Sequence, residues 1–287
     1  MLTIVFASQK GGSGKTTLTG HLAVEAGRAG FGPVALVDTD PQGSLCGWWK
    51  HRNETMPSLI RSTAEELEND LARLRDQGHR LAFIDTPPAA TSAISEVVRF
   101  ADLVVIPCRP SPHDLRAVGA TVDMVEKWRK PMVFAVNSAT KRARITAEAA
   151  VALSQHGTVA PVTLHHRVDF AASMIDGRTV MEVSESGASA KEVIALWNYV
   201  AERLGKLDVV QPMAAANVTE VPAAAAPTEA VEAVAHSPAP VASTATAQHV
   251  APAVHRTDAD DMSRPSYGVV PRRPAATFGR RIGGEIQ

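Results

Sequence analysis

Short, near-continuous apolar runs alternate with amphipathic stretches through roughly the first two hundred residues. The runs LTIVFAS (2–8), GPVALVDTD (32–40), RLAFIDTPP (80–88), ADLVVIPCRP (101–110) and PMVFAVNS (131–138) lack the polar alternation of a half-exposed strand. Such runs are strands covered on both faces, as in parallel sheets. Between them, STAEELENDLARLRDQGHR opens with a capping box, Ser62 with Glu65, and sets Leu67, Leu71 and Leu74 on one face. SPHDLRAVGATVDMVEKWRK places Ser111 as N-cap and Pro112 as first helical residue. SAKEVIALWNYVAERLGKL directs Val193, Leu196, Trp197 and Val200 to a core. The pattern predicts a three-layer α/β fold: a mostly parallel sheet flanked by helices.

After residue 208 the pattern ends. Ala, Pro, Thr and Val dominate, lysine disappears and neither period survives, so the expected division is a globular unit, 1–208, and an Ala/Pro-rich disordered tail, 209–287. The tail ends in RRPAATFGRRIGGEIQ, where Arg272, Arg273, Arg280 and Arg281 flank Phe278, either a solvated end or a short docking or DNA-touching motif.

Charge changes the picture little: 29 Lys and Arg against 30 Asp and Glu leave a formal net charge of -1, so any nucleic-acid site must be a local patch. Cys46 and Cys108 have no metal-ligand spacing and read as reduced thiols of a cytoplasmic protein. LTIVFA is too short for a membrane helix, and ATFGRRIGGEIQ lacks the apolar face of an interfacial one, so no membrane partner is expected.

The chemistry lies at the ends of the apolar runs. SQKGGSGKTT (8–17) follows the first strand and precedes a helix, the setting in which a Gly-Lys-Thr string binds phosphate. Backbone N–H groups from Gly11, Gly12, Ser13, Gly14, Lys15 and Thr16 would cradle a β-phosphate at the helix N-terminus. Lys15 would neutralise the β- and γ-oxygens, Thr16 would coordinate Mg²⁺ and Thr17 would reach the α-phosphate. Where the usual string has its first glycine this one has Gln9, and a second lysine, Lys10, follows it. LVDTDPQGS supplies Asp38 and Asp40, and LAFIDTPP supplies Asp85, placed like the aspartate that holds a Mg²⁺ shell.

KGGSGKTT, VDTDPQGS and FIDTPP together resemble the deviant Walker A, A′ and B motifs of the ParA/MinD ATPases, in order, across residues 1–205. The similarity is strongest to short ParA proteins of the ParF and VirC1 kind and extends to ADLVVIPCRPSPHDLRAVGATVDMVE and DGRTVMEVSESGASAKEV. The resemblance implies a weak Mg²⁺-dependent ATPase that dimerises on binding ATP, with Lys10 crossing to the phosphates of the other subunit. A long cation placed before the cradle is suited to that reach. It also implies that Asp40 orients the attacking water, that Asp38 and Asp85 arrange the metal shell, and that Pro110 and Asn137 lie against adenine. Non-specific DNA binding by the dimer is a further implication, with Lys141, Arg142 and Arg144 of TKRARI as the candidate patch and Arg167, Arg178 and Lys191 more distant.

The implied role is partition or positioning of a plasmid, chromosome or large protein cargo over the nucleoid, driven by a ParB-like or cargo adaptor. A nucleotide-gated recruitment module without a DNA-based cycle is the alternative.

Overall fold

A computed structural model describes residues 1–88 and 92–210. The expected tail, 209–287, lies outside the described residues apart from its first two positions. The element order is β1 (Leu2–Phe6), α1 (Lys15–Arg28), β2 (Val34–Asp38), α2 (Ser44–Trp49), β3 (Ser58–Arg61), α3 (Leu67–Asp76), β4 (Leu81–Asp85), α4 (Ser92–Arg99) and β5 (Leu103–Cys108). It continues with α5 (Pro112–Lys127), β6 (Met132–Ala139), α6 (Arg144–Ser154), β7 (Thr158–His165), α7 (Val168–Met174), α8 (Val180–Val183) and α9 (Ala188–Val210).

The strands form one seven-stranded sheet in the order β3-β2-β4-β1-β5-β6-β7, every pair parallel. Alternate residues of each central strand enter different cores. Ile4 and Phe6 of β1, with Leu36 and Phe83, pack under Leu18 and Leu22 of α1 and Val193, Leu196, Trp197 and Val200 of α9. Val5, with Val37 and Ile84, packs against Leu71 of α3, Val98 of α4 and Val125 of α5. Both faces are therefore dry, which is why the central strands read as unbroken apolar runs. The three-layer α/β architecture is the one expected.

Two strands were not legible as such. β3 and β7 are the sheet edges, half-buried along most of their length, and their mixed composition breaks the apolar run. Pro161, which cannot donate to a ladder, is tolerated on the β7 edge.

The start of α3 also differs from expectation. Regular helix begins at Leu67, and Thr63 accepts the Glu66 N–H at 3.3 Å, while the Ser62 hydroxyl donates to the Thr63 carbonyl. The expected Ser62–Glu65 box does not form, because Ser62 N–H is held to the Asp38 carbonyl at the end of β2. In α5, Ser111 accepts the Asp114 N–H at 3.2 Å and Pro112 is the first helical residue, as the sequence predicts.

Candidate functional site

β1 is central, and the chain leaves it toward β2 on one side and later returns to β5 on the other. The ends of β4, β1 and β5 therefore meet at the crevice where open α/β sheets bind ligands. Register puts Phe6 opposite Asp85 and Asp85 opposite Asp38, so the phosphate loop and both strand-end aspartates emerge side by side.

The loop between β1 and α1 needs its glycines. Gly12 and Gly14 have φ of 72° and 98°, and a Cβ on Gly14 would stand 2.2 Å from the Asn137 amide nitrogen. Gly14 is the N-cap of α1 and brings no side chain, which leaves the first-turn N–H groups facing the cavity for an anion. Lys15 is buried, and its Nζ donates to the Ser8 carbonyl at 3.1 Å, folding the side chain back over the loop. Burial pulls its pKa down, opposed by the charges of Asp85 and Asp40. Gln9 N–H donates to Thr121 Oγ1 of α5 at 3.1 Å, and Lys10 beside it is exposed.

The Thr16 hydroxyl donates to Asp85 Oδ2 at 2.6 Å, and Asp85 Oδ1 is buried without a hydrogen-bond partner. Burial pushes the Asp85 carboxyl up to about 7, against the Thr16 hydrogen bond that lowers it. A hydroxyl beside a carboxylate with one unsatisfied buried oxygen suits Mg²⁺, which takes a few oxygen ligands from protein and completes its shell with phosphate and water. Among the described residues no cluster of three or more His, Cys, Asp and Glu side chains offers an all-protein cage.

Asp38 stands beside Asp85 at the end of β2 and is fully engaged by backbone. Its Oδ1 accepts the Asp40 N–H at 3.0 Å and its Oδ2 accepts the Cys46 N–H at 2.9 Å. Both oxygens therefore hold the A′ loop and the first turn of α2. Asp40 lies beyond the strand end, faces the cavity and accepts the Gln42 N–H on Oδ1 at 2.9 Å.

A cavity of about 680 Å³ gathers Gly12, Gly14, Lys15, Thr16, Thr17 and Asp40. Asn137 joins them, its amide donating to the Ser13 carbonyl at 2.8 Å, whereas Pro110 is not part of the lining. Its neighbour Arg109 is, and was not anticipated although it directly follows an apolar strand; Phe170 and Met174, four apart on α7, complete an apolar wall that no motif signals.

Lys141, Arg142 and Arg144 are exposed together at the turn between β6 and α6, with Arg144 paired to Glu148 at 2.7 Å. Arg167 is half-buried and forks onto Glu192 at 2.5 and 2.7 Å, and Arg178 pairs with Asp176. Arg167 is committed within the fold, while Arg178, despite its surface pair, and Lys191 are exposed.

The helix behind the cradle is braced by His21, which is fully buried. Its Nδ1–H donates to the Thr17 carbonyl at 2.8 Å and its Nε2 accepts the Val180 N–H at 3.2 Å, two partners that together require the neutral ring. Burial lowers its pKa to about 4 from an unperturbed 6.5. Below pH 6.5 the unfolded chain takes a proton that the folded one refuses, so stability should decline from there to about pH 4, by roughly 3 kcal/mol in all. Urea midpoints across that window should fall more steeply for the native chain than for His21→Gln; parallel curves would refute the assignment.

A glycine-lined cradle opening a helix, a buried lysine at its base and a hydroxyl–carboxylate pair beside it define a nucleotide-binding P-loop domain. Residues 4–180 match the family model described as the CobQ/CobB/MinD/ParA nucleotide binding domain, and the chain belongs to that family, a ParA/MinD-type ATPase. It is 30% identical over 203 residues to the maintenance of carboxysome distribution protein A of Halothiobacillus neapolitanus, covering 67% of this chain and 92% of that protein. It is 29% identical over 155 residues to the chromosome-partitioning ATPase Soj of Thermus thermophilus, 44% of this chain and 62% of that one. Among solved structures, apo McdA of Cyanothece superposes with a TM-score of 0.59 at 17% identity over 70% of this chain and 99% of that chain. MinD of Pyrococcus horikoshii with Mg-ADP gives 0.60 at 15% identity over 72% and 98%. At these identities the structures establish the fold. No helix among the described residues is long and apolar enough to cross a membrane.

Proposed function

We propose that the chain is an ATP-driven dimer switch that positions a large cargo, a plasmid, chromosome or protein body, over nucleoid DNA in the cytoplasm. The observation that carries this reading is the division of labour between two lysines of one loop: Lys15 buried at the base of the cradle, Lys10 exposed ahead of it.

The cradle from Gly11 to Thr17 holds the phosphates of ATP, and Lys15 turns from the Ser8 carbonyl to the β- and γ-oxygens. Mg²⁺, held by Thr16 and Asp85, would neutralise charge between the two terminal phosphates. Asp38 keeps the A′ loop in place, and Asp40 orients the attacking water from it. Asn137 fixes the Ser13 carbonyl and borders the space for the base. Lys10 reaches the phosphates of a second copy, so that ATP closes the dimer and hydrolysis releases it. The exposed turn of Lys141, Arg142 and Arg144 meets DNA phosphates in the dimer, and an adaptor protein stimulates turnover. The likeness to a carboxysome-distribution protein and to a chromosome-partitioning ATPase supports the positioning role without choosing the cargo. This activity is assigned to residues 1–208, with 209–287 a tail outside the ATPase domain.

Light scattering of the full chain with a slowly hydrolysed ATP analogue should show a dimer that ADP does not support, and Lys10→Ala should remain monomeric with analogue bound. That dimer should be retained on random duplex DNA in a salt-sensitive manner, and changing Lys141, Arg142 and Arg144 to Ala should release it. A Lys10→Ala protein that still dimerises overturns the assignment of Lys10; a dimer indifferent to DNA favours a recruitment module.

A further inference from the structure

Arg109 lines the phosphate site, and the preceding mechanism gives it no work. It follows β5 directly, at the strand end beside β1, and its side chain crosses the mouth of the cradle. Its Nη2 donates to the Gly12 carbonyl, and a Cβ on Gly12 would stand 3.0 Å from that nitrogen. The residue is exposed and lines the same cavity as Lys15, Thr16 and Asp40. Among the described residues its guanidinium makes no ion pair with a carboxylate, in contrast to Arg52, Arg167 and Arg178.

A guanidinium carries five N–H donors in a planar fork, so one backbone carbonyl leaves most of them unused. The positions of the two cations differ in a way that matters. Lys15 lies buried at the base of the loop, whereas Arg109 is exposed, held to the Gly12 carbonyl and part of the lining of the same cavity. The phosphate group that distinguishes a nucleoside triphosphate from a diphosphate is the terminal one, and an exposed cation at the cavity rim is free to meet it.

We infer that Arg109 is a further catalytic residue: its guanidinium exchanges the Gly12 carbonyl for the terminal phosphate of ATP, so it both senses the triphosphate and stabilises its transfer. The inference rests on the ATPase reading above. In the reaction, water oxygen bonds to the γ-phosphorus as the bond from that phosphorus to the β–γ bridging oxygen breaks. ADP departs with the electron pair of that bond, the water proton passes by way of Asp40 to solvent, and inorganic phosphate remains. Arg109 gives and takes no proton; it offsets the charge spread over the phosphoryl oxygens.

The test is calorimetric titration of the full chain with ADP and with a non-hydrolysable ATP analogue, for the native protein, Arg109→Ala and Arg109→Lys, together with ATP turnover. Arg109→Ala should weaken analogue binding about tenfold or more, leave ADP binding within about threefold, and lower turnover roughly a hundredfold. Arg109→Lys should recover part of the affinity but little of the turnover, because a point charge cannot fork across two oxygens. Equal loss for ADP and analogue would overturn the proposal, leaving Arg109 as a clamp on Gly12, and unchanged binding and turnover would overturn it too. Lys15→Ala, measured alongside, separates the claims: if it binds both nucleotides as the native protein does, the phosphate-site reading falls independently of Arg109.

Discussion

Lys15→Ala is expected to lose ATP binding and turnover together, the affinity by roughly a hundredfold or more, since one to three charge-assisted bonds to phosphate oxygens disappear. The effect belongs to charge and position. Nζ sits at the base of the cradle, restrained by the Ser8 carbonyl and facing Asp85 and Asp40, so phosphate replaces a partner that is already organised. Equilibrium titration with a fluorescent ATP analogue measures the loss. The thermal midpoint should change little, because the deleted amine makes one carbonyl bond in the resting fold. A variant that binds the analogue within about threefold of the native protein would contradict the site as described.

Arg52→Ala is expected to cost about 3–5 kcal/mol of stability, the penalty of leaving one member of a buried ion pair alone. The Arg52 side chain is 3% exposed and forks onto Glu182 at 2.8 and 3.1 Å while donating to the Gly177 carbonyl at 2.8 Å. Burial raises the Glu182 pKa, but the hydrogen bond and charge of Arg52 and the Thr179 hydrogen bonds together outweigh it, so the carboxylate is held below its usual range. Glu182 also closes a capping box with Thr179 at the start of α8. Trp48 Nε1–H donates to the Arg178 carbonyl nearby, and Gly177, at φ 76°, lies so close that a Cβ would meet the His51–Arg52 backbone at 2.3 Å. Because α2 follows the Asp40 loop, this brace sets the loop from behind, while His21 ties α1 to Val180 in the same segment. Urea midpoints for Arg52→Ala, Glu182→Gln and the double variant should show strong non-additivity, and additive losses below about 1 kcal/mol would refute the coupling.

Much of the site was legible because phosphate chemistry works through local sequence. The loop from Gly11 to Thr17 gathers its donors from consecutive residues, and Asp85 ends an apolar run that identifies its strand. Asp38 was legible as a strand-end carboxylate, and only the fold shows that its two oxygens accept the Asp40 and Cys46 N–H groups. Arg109, Phe170 and Met174 join the cavity from far along the chain, without a shared motif. The edge strands β3 and β7 escaped for a related reason, since a half-exposed strand relaxes the apolar pattern that marks a buried one.

Local period, glycine freedom and adjacent charge were enough to establish the α/β class, the central strands, the phosphate loop and the surplus lysine ahead of it. Which side chains converge from separate strand ends follows from the folded chain and from nothing shorter. The fold set Arg109 on Gly12, Asn137 on Ser13 and His21 between Thr17 and Val180, because contacts at sequence separations of 97, 124 and 159 residues arise from the order of strands in the sheet and the packing of its two cores.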